Sequence, residues 1–176
     1  MMRVDFRRIG ELWPWYIVAI AIVLADQVTK AAVTNHINYG QLIEILPFFD
    51  LTLLHNYGAA FSFLDQQGGP QRWFLVFISA AVSVVLIFWW LPSQNRKIAI
   101  LAMTLILGGA VGNLYDRFVL GYVVDFIAVH YQQHRFPAFN IADSAISVGA
   151  FFLFLEWFVL EPCARRREEQ AVEADQ

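Results

Sequence analysis

The segment Trp73–Leu91, WFLVFISAAVSVVLIFWWL, runs for 19 residues without a charge. Ile98–Tyr115 is a second uncharged run, of 18 residues. At about 1.5 Å per residue, each helix nearly matches a hydrocarbon core of roughly 30 Å. Two such runs leave little choice but membrane spans. Composition agrees: the chain of 176 residues is 59% hydrophobic and 15% charged, whereas soluble domains run nearer a quarter charged. Too few polar side chains remain to cover a soluble globule. Composition thus argues against an ordinary soluble enzyme and for an integral membrane protein.

Two further apolar stretches carry polar interruptions. Leu12–Ala25 is followed by Asp26 and Lys30, then by Ala31–Val33. Phe139–Leu160 is apolar except for Asn140, Asp143, Ser144, Ser147 and Glu156. Counting both gives spans over residues 12–33, 72–91, 98–117 and 139–160. The expected fold is an integral membrane protein, mainly α, with a four-helix transmembrane bundle in a single domain over 1–176. Arg3, Arg7 and Arg8 before the first run are also compatible with a signal peptide. No convincing small-x-small cleavage site precedes Asp26, so the run reads as a retained span.

Eight of the 12 Lys/Arg fall on one side: Arg3, Arg7, Arg8, Arg96, Lys97, Arg165, Arg166 and Arg167. The positive-inside rule makes that side cytoplasmic, with both termini inside. Trp13, Trp15, Tyr16, Trp89 and Trp90 fit interfacial belts there. Segments 34–71 and 118–138 then face outward, and 165–176 is a charged cytoplasmic tail. Within the first outer segment, Leu42–Leu64 mixes apolar and polar residues around Pro47 and Gly58. It reads either as a short sheet on the membrane surface or as an amphipathic surface helix. No long basic stripe points to nucleic acid. The single Cys163 excludes an intrachain disulfide framework and a cysteine-built zinc cluster.

Ionisable groups within spans cost roughly 2.5–3.5 kcal/mol each on insertion scales. With this topology, Asp26 and Lys30 fall near the outer end of helix 1. Asn113, Asp116 and Arg117 end helix 3 on the same side, and Asn140 and Asp143 begin helix 4 there. Asp125 lies in the outer segment between helices 3 and 4. Three helices thus bring carboxylates and amides to one membrane depth. Asn140 and Asp143, three apart, share a helix face. Asp26 and Lys30, four apart, serve either as a local ion pair or in function. Asp116 and Arg117 read as a helix-end charge pair or as site residues. Asp143 has the alternative of a plain interhelical hydrogen bond, and Asp125 that of a solvated loop carboxylate.

No G-x-S-x-G is present, and no cysteine lies near a histidine on the outer side. His130 and His134 have the spacing of a helical metal pair but lack a third ligand, so no metal or other cofactor is expected. His36 and His55 read as interfacial polar residues. Gly108-x-x-x-Gly112 reads as close helix packing rather than a phosphate loop. Carboxylates remain as the chemistry. Two of them about 3 Å apart share a proton. The ionised one draws a proton from water, which attacks a peptide carbonyl. The protonated one donates to the carbonyl oxygen. A small transporter or channel subunit is the alternative, since intramembrane carboxylates mark ion paths. Here, however, the polar groups cluster at one end of the bilayer.

Five blocks carry a resemblance. They are Asp26–Lys30 (DQVTK), Asn56–Phe61 (NYGAAF), Gly108–Arg117 (GGAVGNLYDR), Val123–Phe126 (VVDF) and Phe139–Ser144 (FNIADS). In this order and spacing, with four spans, the chain resembles the lipoprotein signal peptidases, the type II signal peptidases of bacteria. The resemblance implies an aspartic endopeptidase of the bacterial inner membrane, its site facing the periplasm. It implies removal of signal peptides from diacylglyceryl-modified prolipoproteins, cut just before the lipidated cysteine. It makes Asp125 and Asp143 the catalytic pair. Asn56, Asn113, Arg117 and Asn140 would line the site and hold substrate, with Asp26 in support. It further implies an outer β-cradle, a lid-like surface segment, contact with membrane lipids, inhibition by globomycin and a monomer.

Overall fold

A computed structural model describes residues 10–58, 71–91, 96–132 and 134–162, with residues 166 and 170. Among these residues are four helices long and apolar enough to cross a membrane. These are α1 (Trp13–His36), α2 (Gln71–Val85), α3 (Lys97–Val119) and α4 (Ile141–Leu155). α2 and α4 each continue into a π-helical turn, Leu86–Trp90 and Glu156–Leu160. Helices are what an apolar solvent demands, because each backbone N–H and C=O must find its partner within the segment. Pro14 sits in the first turn of α1, where its missing N–H deprives the helix of nothing.

α3 is the central helix, with Ala99, Ala102, Met103, Leu107 and Gly112 all buried. The other helices turn Trp13, Phe77 and Phe151 outward. Lipid is as apolar as these side chains, so helix association depends on close packing by small residues. The glycine seams supply it. A Cβ on Gly108 would lie 2.9 Å from Cβ of Ile22 on α1. A Cβ on Gly109 would collide with the Ala142 carbonyl oxygen on α4, and one on Gly149 would come within 2.6 Å of the Ala102 oxygen. The Gly108-x-x-x-Gly112 stretch is thus a packing surface.

One end of the bundle carries an antiparallel sheet in the order β1-β2-β3-β4. The strands are β1 (Leu42–Leu46), β2 (Phe49–Asn56), β3 (Val123–Tyr131) and β4 (His134–Arg135). The described part of Leu42–Leu64 therefore takes the sheet alternative rather than the helix one, with β2 ending at Asn56, while residues 59–64 lie outside the described residues. β3 comes from the second outer segment, where sequence reasoning assigned no strand. Leu53, Val124 and Phe126 pack against Val33 and Ile37 at the end of α1, seating the sheet on the bundle. His130 on β3 lies 3.4 Å from Asp50 on β2. His130 and His134 occupy paired strands, so the helical metal-pair spacing is not realised.

At the opposite end, Arg96 meets the buried Glu156 at 3.0 Å, and Trp90 and Trp157 stack edge to face. Arg3, Arg7, Arg8, Ala59–Phe61, Cys163, Arg165, Arg167 and most of the charged tail lie outside the described residues. Among the described residues no separate lid segment stands out.

Candidate active site

The site forms where β3 meets the start of α4. The backbone N–H groups of Phe126 and Ile127 donate to the Phe139 oxygen at 3.0 and 2.8 Å, and the Phe139 N–H donates back to Ile127 at 3.0 Å. Phe139 is thereby held beside the strand that carries Asp125. The next residue, Asn140, caps α4. Its Oδ1 accepts from the Asp143 N–H at 2.9 Å, and Asp143 Oδ2 accepts from the Asn140 N–H at 3.3 Å. This is a capping box with Asp in place of the usual Glu. It fixes the Asp143 side chain at a helix N-terminus, where the helix dipole favours negative charge.

Asn140 also faces the strand. Its Nδ2 donates to Asp125 Oδ1 at 2.7 Å, so one asparagine touches both carboxylates, Asp125 through its side chain and Asp143 through its backbone N–H. Asn56, at the end of β2, donates to Asp125 Oδ2 at 3.0 Å while its own Oδ1 accepts from the Gly58 N–H at 3.1 Å. Asn113 on α3 donates to Asp143 Oδ1 at 2.8 Å. Each carboxylate is oriented by amide donors that are themselves anchored. Arg117 donates from Nη2 to the Gly58 oxygen at 3.0 Å, and its buried Nε has no hydrogen-bond partner among the described residues. A cleft of about 730 Å³ is lined by Asn56, Arg117, Asp125 and Asp143, with Phe136, Phe139, Ser144 and Val148 among its other walls.

Asp125 is 3% exposed. Burial, and then the neighbouring negative charge of Asp143, push its carboxyl up to about 7, against the partial offset of the Asn56 and Asn140 hydrogen bonds. A buried carboxyl near neutrality beside a second carboxylate in a water-accessible cleft can exchange protons with water and a polarised carbonyl.

The sequence-predicted residues separate into two layers. Asn56, Asn113, Arg117, Asp125, Asn140 and Asp143 come together. Asp26 does not line the cleft. It is fully buried behind it, 2.7 Å from Lys30. Asp116 is not paired with Arg117 but lies 2.8 Å from Lys30, and Gln27 joins Asp26 and Asp116 at 3.2 and 2.9 Å. The role of Gln27, and the reach of Lys30 from α1 to α3, were missed in sequence. The signal available was Asp116 sharing a helix face with Asn113. Arg72 was also missed. It donates from Nε and Nη2 to the carbonyls of Arg117 and Phe118, at 2.8 and 2.7 Å, capping the end of α3.

The sequence profile described as signal peptidase (SPase) II matches residues 18–159. The chain belongs to the signal peptidase II family. The lipoprotein signal peptidase of Acinetobacter baumannii is 50% identical over 148 residues, 84% of each chain. That of Teredinibacter turnerae is 56% identical over 141 residues, 79% of this chain and 83% of the relative. That of Ectopseudomonas mendocina is 49% identical over 162 residues, 90% and 95% of the two chains. Among solved structures, a bacterial membrane enzyme obtained by the in meso method at 2.3 Å resolution superposes with a TM-score of 0.73. It is 27% identical, over 90% of this chain and 92% of that one. The chain is thus an aspartic-type signal peptidase and a multi-pass membrane protein.

Proposed function

We propose that Asp125 and Asp143 are the catalytic pair, and that the enzyme cuts diacylglyceryl-modified prolipoproteins just before the lipidated cysteine. The observation that carries this reading is Asn140, whose side chain donates to Asp125 and whose backbone N–H donates to Asp143, behind a cleft that both carboxylates line. Asp125, the more deeply buried, holds the pair's proton. Asp143 accepts a proton from water, whose oxygen attacks the scissile carbonyl carbon, while Asp125 donates its proton to the carbonyl oxygen. Collapse of the tetrahedral intermediate returns a proton to Asp125 and delivers the one on Asp143 to the leaving nitrogen. Asn113 and Asn140 keep the carboxylates oriented, Asn56 does so from β2, and Arg117, which lines the cleft, donates to a substrate carbonyl. Asp26 supports the pair from behind.

The whole chain acts as one membrane domain of the bacterial inner membrane. Its termini are cytoplasmic and the cleft opens to the periplasm. The basic residues support this orientation, with Arg96 at the end of the bundle away from the sheet. A diacylglyceryl group remains in the bilayer, so a cleft at the end of a membrane bundle suits such a substrate. The enzyme works as a monomer among membrane lipids and is inhibited by globomycin. Clustering of the polar groups at one end, with an apolar bundle below, disfavours the transporter alternative.

The test is cleavage of a diacylglyceryl-modified substrate by Asp125→Asn and Asp143→Asn. Both variants insert and both lose cleavage; normal turnover by either removes the pair.

A further inference from the structure

We propose that Lys30 is a positioning residue: through Asp26 and Asp116 it holds the two backbone positions that precede Asp125 and Asp143. The inference rests on the reading of those two aspartates as the catalytic pair. Lys30 is 3% exposed, and its ammonium group has three protons to place. It lies 2.7 Å from Asp26 Oδ2, 2.8 Å from Asp116 Oδ2 and 3.2 Å from Asn113 Oδ1. All three donors are therefore used, on α1 itself and on α3.

What each partner does next makes this more than a buried ion pair. Asp116 Oδ2 accepts the N–H of Val124 at 3.2 Å, and Val124 immediately precedes Asp125 on β3. Asp26 Oδ1 accepts the N–H of Ala142 at 2.9 Å, and Ala142 immediately precedes Asp143 on α4. Asn113, the third partner, donates directly to Asp143. One cation on α1 thus governs the strand position of one carboxylate, the helix position of the other and the orientation of the second through an amide. The Ala142 N–H is one of the donors that a helix leaves unsatisfied in its first turn. Asp26 satisfies it from a different helix, which ties the start of α4 to α1.

The surroundings are shaped for this arrangement. A Cβ on Gly112 would sit 2.9 Å from Asp26 Oδ2, so the glycine leaves the carboxylate its place. Stability alone does not account for the cluster, since well-packed apolar residues serve a buried interior as well or better. Elsewhere α1 and α3 meet through Ala19, Met103 and Leu107. Among the described residues, the charges between α1 and α3 lie where they also hold the start of α4 and the strand before Asp125. Misplacement of catalytic groups by about 1 Å costs roughly 100-fold in rate, so slackening the cluster reduces turnover more than substrate binding.

The experiment uses the full-length enzyme in detergent with a diacylglyceryl-modified peptide substrate. The double variant Lys30→Met/Asp116→Asn removes one positive and one negative charge and leaves the cluster's net charge unchanged. We expect kcat to fall at least about tenfold with KM within about twofold, a split that general loss of folded protein does not produce in active-enzyme-normalised data. Asp116→Asn alone keeps an oxygen for the Val124 N–H and retains kcat within about threefold. Full kcat in the double variant, or kcat and KM changing together, overturns the proposal. If the double variant does not accumulate in the membrane, Asp116→Ala compared with Asp116→Asn decides. A tenfold deficit confined to the alanine variant supports the proposal, and equal kcat overturns it. Active Asp125→Asn or Asp143→Asn enzyme refutes the underlying pair instead. Those two outcomes are distinct.

Discussion

A carboxyl held near 7 inside a fold makes both stability and catalysis depend on pH, and Asp125→Asn separates the two effects. The ordinary Asp value is 3.8 and the folded value is about 7. Between them the folded state carries a proton that the unfolded state lacks, so stability falls as pH rises through this window. At 1.36 kcal/mol per pH unit, the whole window is worth about 4 kcal/mol, and the part between pH 5 and 7 about 3 kcal/mol. Raising the pH from 5 to 8 therefore lowers the stability of the wild type by about 3 kcal/mol through this one group. The Asp125→Asn variant does not show that component. Its absolute stability at one pH is not diagnostic. Its new amide faces the Nδ2 donors of Asn56 and Asn140, whose oxygens are engaged by Gly58 and Asp143, an offset of about 1–3 kcal/mol. The measurement is reversible unfolding of both proteins in detergent at pH 5 and pH 8, read as the difference of differences. In the wild type, kcat/KM should also fall about tenfold per pH unit above about 7, as the pair loses its shared proton. Identical pH dependence of stability in the two proteins, or a kcat/KM still rising at pH 9, refutes the reasoning.

Arg72→Ala removes two charge-assisted hydrogen bonds from the carbonyl end of α3. It should lower stability by about 1–2 kcal/mol, seen as a reduced midpoint of thermal unfolding with KM little changed. Arg117→Ala loses the contact with Gly58 and the free Nε; it should reduce kcat/KM by roughly tenfold or more without a comparable loss of stability, in steady-state assays beside thermal melts. Arg117→Lys should not restore it, because a point cation does not reproduce a planar fork of donors. Gly109→Ala forces a methyl against the Ala142 carbonyl, next to Asp143. The expected cost is about 1–3 kcal/mol of stability, with reduced turnover in the fraction that folds.

The membrane character and the helix count were legible because charge is scarce, so each uncharged run is conspicuous. The convergence of Asn113, Asp125, Asn140 and Asp143 at one depth was also readable, since span direction and residue position fix depth without side-chain detail. β3 was not readable. Val123–Tyr131 lacks clean alternation, because its first four residues are all buried, packed between the bundle and its neighbouring strand. Of the two readings left open for Asp116, the charge pair with its sequence neighbour Arg117 is not realised, because its partner Lys30 lies on another helix. Distances between helices are set by packing, here by Gly108, Gly109 and Gly112. No spacing along one helix reports which residue of another it will meet.

Asp143 has two attachments that pull against each other. Its Oδ2 completes the cap of α4, and its carboxylate faces the cleft. On the proposed mechanism, a proton arriving on Asp143 weakens an acceptor in that cap, a loss on the order of 1 kcal/mol. The first turn of a membrane-crossing helix is then softest when the intermediate is present and firmest when the site is at rest. If that mechanism holds, the chemical cycle is also a mechanical one, with the tip of a rod anchored in lipid loosened and tightened once per bond cut while the Asn140 side chain keeps its own cap contact.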